Sequence, residues 1–188
     1  MKILIAALVA LAGLVGPAHA QPAATLVPAQ SEIAFTSTQM GAPVDGHFRR
    51  FDATIALDPK QPQSGSVSLA IDAGSATLGV PEVDTELVKP NWFDTVKFPQ
   101  ATFRSTGVKR LGVGQFEVAG TLSIKGRAQA IVVPVVVAQS GARSTATGSF
   151  TIKRLTFRIG EAEWADTSMV ANDVTVRFRL VLTGMPPL

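Results

Sequence analysis

The sequence predicts an all-β protein, an antiparallel barrel of about eight strands with one short helix capping an end. Apolar and polar residues alternate through most of the chain, which is the pattern of strands with one buried face. Gly, Pro, Asn and Asp cluster between the alternating segments and indicate short turns. A sheet with one buried face closes into a barrel or packs as a sandwich. The chain lacks the Cys and Trp spacing of immunoglobulin domains, which favours the barrel.

The first 20 residues have the parts of a cleavable secretory signal peptide. Lys2 precedes an apolar run over residues 3–15, a Gly16-Pro17 break and a small residue at Ala20. The run is shorter than the roughly 18 to 20 residues that a membrane-spanning helix needs. We therefore expect an exported protein whose mature part, residues 21–188, forms one domain.

The charge and cysteine content exclude several classes of function. The chain has 17 basic and 14 acidic side chains, and the basic residues are spread along the predicted strands. No zinc-finger, helix-turn-helix or RNA-binding signature is present, so we expect no nucleic-acid partner. With no cysteine in the sequence, neither a disulfide framework nor a thiol nucleophile is expected.

The alternation predicts strands over residues 32–39, 51–58, 66–71, 101–106, 116–125, 131–137, 147–153, 155–159 and 173–182. Residues 41–46 are predicted to be a turn and residues 141–145 a polar loop. Gly120 indicates a bulge or bend, and Pro134 indicates an edge, a bulge or a strand end.

Residues 83–106 interrupt the alternation. Val83 and Leu87 are four residues apart and Pro90 follows, which predicts a short helix. Three aromatic residues, Trp92, Phe93 and Phe98, come next and lead into a strand. They either pack as a cluster that holds the helix against the barrel or form a lid at the mouth of a cavity. The connection over residues 160–172 is irregular and is expected to fold over one end of the sheet.

Four motifs then match a known family. They are GHFRRFDATIALDP (residues 46–59), VDTELVKPNWFDTVKFPQATFRST (83–106), FEVAGTLSIKGRAQAIVVPVVV (116–137) and GSFTIKRLTFRIG (148–160). In this order they resemble the YceI family of periplasmic proteins, over nearly all of residues 21–188. The chain departs from the family at residues 28–31, where only Ser31 matches a usual Asp and His-Ser, and at Val83-Asp84, where the family often has Arg-Asp.

The resemblance implies an elongated, lipocalin-like barrel around an apolar tunnel. The family binds a long isoprenoid chain or similar amphiphile there, including polyprenyl and ubiquinone-type lipids, without catalysis. The expected partner is therefore an isoprenoid or other long-chain lipid in the periplasm, with no cofactor beyond a bound polyisoprenoid or quinone. A transient contact with a membrane or membrane protein and a homodimer are both compatible with this role.

The inward apolar side chains are the predicted ligand-binding residues. Periodicity is the same whether these residues interlock as a packed core or line a cavity. They are Phe35, Phe51, Ile55, Leu69, Leu87, Trp92, Phe93, Phe98, Phe103, Phe116, Val118, Val133, Phe150, Trp164, Met169 and Phe178.

Candidate catalytic and metal-binding residues are few. A lone His47 cannot supply the several ligands of a metal site. The acidic residues at positions 84, 86, 161, 163 and 166 lie in polar connections, and Ser105 and Ser123 lack the G-x-S-x-G elbow. We predict no enzyme and no metal. The alternatives are a packed, stress-related interaction module without a ligand and, less favoured, a lipid-modifying enzyme.

Overall fold

The computed structural model describes residues 23–188, so the predicted signal peptide lies outside the described residues. Within them, one α-helix, α1, spans Pro81–Leu87. No helix there is long and apolar enough to cross a bilayer. The strands of residues 23–188 are β1 (Ala23–Leu26), β2 (Glu32–Gln39), β3 (Ala42–Phe48), β4 (Phe51–Ala56), β5 (Ser66–Asp72), β6 (Ala76–Thr77), β7 (Gln100–Gly112), β8 (Gln115–Ile124), β9 (Arg127–Ser140), β10 (Arg143–Lys153) and β11 (Asp173–Thr183).

The strands form a closed antiparallel barrel. Around the ring the order is β1, β4, β5, β7, β8, β9, β10 and β11, and β11 pairs back to β1. The closing ladder joins Thr25 to Thr183 and Leu26 to Leu182. The predicted barrel of about eight strands is therefore confirmed.

The three remaining strands extend the wall beyond the short strands of the ring. Strand β2 pairs with β11 farther along its length, β3 pairs with β2, and β6 pairs with β3. Strands β1 and β2 therefore lie end to end beside β11, and a 3-10 turn at Pro28–Gln30 separates them. Strands β3 and β4 likewise lie end to end and are separated at Arg49 and Arg50.

Strand β8 illustrates why the chain folds this way. Its even-numbered positions, from Phe116 to Ile124, are buried, and its odd-numbered ones are more exposed. The partner strand β7 has an extra residue, Thr106, between Ser105 and Gly107, opposite Gly120. The bulge predicted at Gly120 therefore exists, but it lies on the neighbouring strand.

Two segments differ from their predictions. Residues 42–48 form β3 rather than a turn, because all seven pair with β2 and only Met40 and Gly41 turn the chain. Residues 154–157 form a 3-10 turn rather than the start of a strand. The positive φ of Arg158 and Gly160 bends this segment over the barrel end.

Two smaller differences and one agreement concern the strands. The polar loop after β9 is shorter than predicted, because β10 already begins at Arg143. Strand β1 was not predicted, since four residues are too few for alternation to show. Pro134 pairs with Glu117 of β8, while the ladder with β10 starts one residue later at Val135, so the edge predicted at Pro134 is present on the β10 side.

We call the end that carries α1, residues 88–99 and the connection 154–172 the capped end. A buried arginine holds it together. Arg154 is 1% exposed, and its five N–H groups donate to the carbonyl oxygens of Ile159, Gly160, Trp164, Val170 and Ala171 at 2.6–3.0 Å. Burial lowers the pKa of the Arg154 guanidinium, but arginine stays charged in proteins. The irregular connection thus obtains from one side chain the hydrogen bonds that a sheet ladder supplies elsewhere.

A buried lysine joins the two connections of the capped end. Lys125, in the β8–β9 turn, is 7% exposed. Its Nζ donates to the carbonyls of Pro90 (2.5 Å) and Arg158 (2.7 Å) and to Glu161 Oε2 (3.0 Å). The Asn91 carbonyl also accepts from the N–H groups of Gly160 and Glu161. The aromatic segment after α1 is therefore fastened to the connection between β10 and β11.

Helix α1 is fastened to the barrel through Asp84. Its carboxylate accepts hydrogen bonds from the Thr77 hydroxyl (2.6 Å) and the Leu78 N–H (2.8 Å), and Arg49 lies at 3.3 Å. These hydrogen bonds, with a smaller contribution from the Arg49 charge, hold the pKa of Asp84 below its ordinary value. Leu87 is buried beneath the helix, whereas Val83 is 40% exposed, so only part of the predicted apolar face packs inward.

We call the opposite end, which carries residues 57–65, the β7–β8 and β9–β10 turns and residues 184–188, the tail end. At this end Gln139 holds residues 186–188 in place by hydrogen bonds. Its amide nitrogen donates to the Pro186 carbonyl at 2.8 Å, and its amide oxygen accepts from the Leu188 N–H at 2.9 Å. Leu188 and Met185 pack against the core from this side.

Replacing Arg154 by lysine should destabilise the protein strongly. An ammonium has three donors in place of five and cannot span the same carbonyls, so buried acceptors lose their partners. We expect a loss of about 3 kcal/mol or more in the free energy of unfolding, as is usual for a broken buried charged network. Guanidinium chloride denaturation measures it.

Arg177→Lys is the matched control, because Arg177 lies on the outer face of β11 and its side chain is 52% exposed. Its effect should be within about 0.5 kcal/mol. Equal effects of the two replacements would mean that the carbonyl cage around Arg154 does not stabilise the capped end.

The Asp84 contacts should make stability depend on pH. Because the pKa of Asp84 is lowered in the folded state, its contribution is present above the unfolded value of about 3.9 and is lost as the pH falls through the folded pKa. Wild type should therefore exceed Asp84→Asn in stability at pH 7 and at pH 5, and the difference should shrink below about pH 4. Urea denaturation at several pH values measures this.

Glu82→Gln, an exposed change on the same helix, controls for the general loss of an acidic group. A wild-type advantage over Asp84→Asn that stayed constant down to pH 2 would contradict the role of the Asp84 carboxylate.

Candidate functional site

A narrow cavity lies inside the barrel and extends between its two ends. Its volume is about 210 Å³. Trp92, Phe93 and Arg154 border it at the capped end, and Leu57 and Met185 border it at the tail end. The barrel therefore encloses an internal space in addition to its packed core.

The shape of the cavity follows from the strands that line it. Strand β11 contributes every second residue from Val174 to Leu182, and β8 contributes residues from Phe116 to Ile124. Eight residue steps at about 3.3 Å each make roughly 26 Å along the strand. With a strand tilt of about 40° the axial length is roughly 20 Å. A volume of about 210 Å³ over this length describes a channel rather than a round pocket.

The wall of the cavity is apolar. Nearly all of its surface is carbon, and the polar side chains among the residues that line it are Ser37 and Arg154, with the indole of Trp92. All five donors of Arg154 are already used by carbonyls. The site is therefore suited to a hydrocarbon chain and offers little that could recognise a polar ligand.

Twelve of the sixteen predicted ligand-binding residues line this cavity. They come from eight strands and from the segment around α1, so for the strand residues the alternation correctly predicted which faces point inward. The twelve are Phe35, Ile55, Leu69, Leu87, Trp92, Phe93, Phe103, Phe116, Val118, Val133, Phe150 and Phe178. Ligand contact by these residues stays a prediction.

The other four predicted residues lie outside the cavity. Phe51 packs against the edge of the core and borders a depression on the outer surface. The ring of Phe98 rests on Gly126 in the β8–β9 turn. The ring of Trp164 contacts that of Trp92 in a tilted arrangement, and Met169 is 46% exposed.

Aromatic rings close the capped end in layers. Phe35 contacts Phe48 at 5.5 Å between ring centroids, and Phe48 contacts Phe93 at 6.0 Å in an edge-to-face arrangement. Trp92 and Trp164 lie at 5.5 Å. Trp92 and Phe93 therefore pack against other rings and border the cavity, whereas Phe98 does neither. The action of the aromatic segment as a gate stays a prediction.

Several cavity residues were not predicted as site residues. Phe48 was missed because β3, which it ends, was not predicted, and Met185 was missed because it follows the last strand. Arg154 is the first residue of the motif R-x-x-F-x-I-G, so the resemblance contained a signal for it. Ser37 Oγ and Trp92 Nε1 are buried and have no hydrogen-bond partner within residues 23–188. They are the polar groups that a ligand at the capped end could engage.

Four of the five acidic candidates, all but Glu163, have recorded hydrogen-bond or ion-pair partners outside the cavity. Hydrogen bonds from Arg158 and Lys125 hold the pKa of Glu161 below its ordinary value, and hydrogen bonds from Ser168 do the same for Asp166. A carboxyl group with a lowered pKa is a poor general acid near neutral pH. No Asp, Glu or His is among the described residues that line the cavity. No group of three metal-ligating side chains occurs within residues 23–188.

Known structures share this architecture. Crystalline BcnA from Burkholderia cenocepacia is 40% identical, with a TM-score of 0.82 over 84% of this chain and 99% of that one. A polyisoprenoid-binding domain from Saccharophagus degradans, implicated in plant cell wall breakdown, has a TM-score of 0.70 at 18% identity, over 86% of this chain and 98% of that one. The latter likeness concerns the fold alone.

Sequence relatives point to the same family. A UPF0312 protein of Azotobacter vinelandii is 29% identical over 142 residues, which are 73% of this chain and 72% of that protein. Protein YceI of Salmonella arizonae is 36% identical over 81 residues, 43% of this chain and 42% of that protein. The family model of the YceI-like domain matches residues 25–182, and this chain therefore belongs to the YceI-like family.

Proposed function

We propose that this protein binds the hydrocarbon chain of a long isoprenoid lipid, polyprenyl or ubiquinone-type, inside its barrel. The narrow apolar cavity between the two ends is the observation that carries this proposal. Every 100 Å² of chain surface removed from water contributes about 2.5 kcal/mol. Affinity would therefore come from the length of chain that is buried, and selectivity for the polar head group would be modest.

The family relationship supports a lipid as the ligand. The Saccharophagus degradans protein that shares this fold is a polyisoprenoid-binding domain. Chains of this class are apolar and long, as the cavity wall requires. Because the fold alone does not determine the ligand, the isoprenoid identity rests on this analogy together with the chemistry of the wall.

Binding without catalysis is the role that the chemistry favours. The wall carries no acid, base or nucleophile beyond the Ser37 hydroxyl, among the described residues that line it. We therefore infer a carrier or store for the lipid rather than an enzyme. The periplasmic location, a transient membrane or membrane-protein contact and a homodimer are further parts of this proposal, and export rests on the signal predicted over residues 1–20.

One observation favours the alternative of a packed interaction module. The cavity volume of about 210 Å³ is smaller than the roughly 300–1,000 Å³ of most small-molecule pockets. A long lipid would need inward side chains to change rotamer as it enters. The next experiment distinguishes these two functions.

Native mass spectrometry of protein purified from a periplasmic extract should detect a bound lipid. We expect an added mass at one copy per chain that disappears on denaturation, and lipid analysis of the released material should identify a polyprenol or quinone. Protein that carries no added mass, and still carries none after incubation with polyprenols and quinones, would favour the packed module.

Two neighbouring valines test which face binds the lipid. Val133 lines the cavity and is 5% exposed, whereas Val132 points outward and is 55% exposed. Val133→Thr places a hydroxyl in the apolar wall, so it should cost about 1–3 kcal/mol in stability and weaken lipid retention several-fold.

Val132→Thr, the matched control, should change stability by less than about 0.5 kcal/mol and leave lipid retention unchanged. Chemical denaturation and the lipid-bound fraction in native mass spectra measure the two effects. Equal loss of lipid in both variants would contradict binding inside the barrel.

A further inference from the structure

Three phenylalanine rings that line the cavity lean over glycines of a neighbouring strand. The pairs are Phe35 on Gly46, Phe103 on Gly120 and Phe178 on Gly148. A Cβ atom built on any of these glycines would lie 2.4–2.5 Å from the Cζ atom of the ring. Carbon atoms in contact are normally about 3.5–4.0 Å apart. Only glycine leaves room for the ring at these positions.

The three pairs are distributed around the barrel. Phe35 and Gly46 are direct partners across β2 and β3, and Phe178 and Gly148 are direct partners across β11 and β10. Phe103 of β7 reaches diagonally to Gly120 of β8, beside the bulge. Leaning rings therefore occur on three sides of the cavity.

The leaning of these rings determines how much of the cavity stays open. When the inward residue on the next strand is larger than glycine, the phenylalanine ring has to project into the barrel interior. A ring that lies over a glycine instead fills the space of the missing side chain and presents its face, about 3.5 Å thick, to the interior. The cavity volume thus depends on the absence of a Cβ atom at three inward positions.

We propose that Gly46, Gly120 and Gly148 set the bore of the cavity and thereby select the class of chain that it binds. With these three rings against the wall, changes of rotamer at the other inward side chains are enough for the bore to take a methyl-branched isoprenoid chain. A side chain at one of these positions displaces its ring inward and leaves room for an unbranched chain only. This inference rests on the proposed lipid-binding function.

Gly46 is the most suitable of the three for a test. If Gly46 carried a Cβ atom, the nearest atoms would all belong to the side chains of Phe35 and Leu78. At the other two glycines a main-chain oxygen, of Arg104 or Pro134, also lies 2.6 Å away, so alanine there would disturb the strand pairing. Gly107→Ala in β7 is the control, because nothing lies within 4 Å of its built Cβ.

The experiment compares the binding of two alcohols to delipidated protein. Geranylgeraniol is methyl-branched, and hexadecanol has the same main-chain length without branches. Gly46→Ala should weaken geranylgeraniol binding about tenfold or more and hexadecanol binding by less than about threefold. Phe35→Leu added to Gly46→Ala should restore geranylgeraniol binding, and Gly107→Ala should bind both alcohols as wild type does. Equal weakening of both alcohols, or no restoration, would overturn the inference.

Pressure denaturation gives a readout that needs no lipid. The volume change of unfolding scales with the internal void that unfolding removes. Its magnitude should fall in Gly46→Ala and rise in Phe35→Leu, and the Phe35→Leu value tests the assignment even if the alanine variant does not fold. If the volume change of unfolding were the same in wild type and in both variants, the inference that the glycines set the bore would be overturned. If the volume changes follow this pattern and wild type binds neither alcohol, the lipid function fails while the role of the glycines in the cavity holds.

Discussion

The cavity depends on the closure of the barrel by β1, a strand of four residues. It pairs with β4 through Ala23 and Ala24 and with β11 through Thr25 and Leu26. Without these pairs, β4 and the part of β11 beyond its pairing with β2 would be free edges, and the inward apolar faces beside them would meet water. Both inward side chains of β1 are buried, so the closing strand also contributes to the core.

Closing the ends of the barrel is a separate physical problem, because irregular connections have no ladder to satisfy their backbone groups. At the capped end, Arg154 supplies five donors to carbonyls of one connection. Burying its charge costs free energy, and hydrogen bonds to every N–H group offset that cost. Gly160 has a positive φ, and a Cβ atom there would lie 2.3 Å from Arg154 Nη1. The first and last residues of R-x-x-F-x-I-G are therefore required by the same contact.

The fold could be predicted where the strands are long and have one solvent-exposed face. Strands β8 and β11 alternate over ten and eleven residues, and both were predicted nearly to their ends. Strand β3 was missed because its Pro, Asp and Gly residues are typical of turns, whereas its pairing with β2 determines its conformation. Residues 155–159 alternate like a strand, but the hydrogen bonds of Arg154 and the positive φ at Gly160 override that pattern.

The site could be predicted to the same extent and for the same reason. Alternation indicates the inward side of a strand, and the predicted residues within the sheet line the cavity, with the exception of Phe51, which lies next to the break at Arg49 and Arg50. Alternation does not predict where a side chain in an irregular connection points. Phe98, Trp164 and Met169 lie in such connections, and all three are outside the cavity.

Alternation alone leaves open whether a barrel is packed or hollow, because inward apolar residues are needed in both cases. The difference lies in how the inward side chains on neighbouring strands combine. Gly46, Gly120 and Gly148 occupy inward positions, and each is covered by a phenylalanine ring from the next strand. A pattern along one strand cannot reveal such a pair, since it depends on the register between two strands. A glycine that occupies an inward position beside an inward phenylalanine lets the ring lie against the wall, whereas the same glycine considered alone indicates a turn or a bulge.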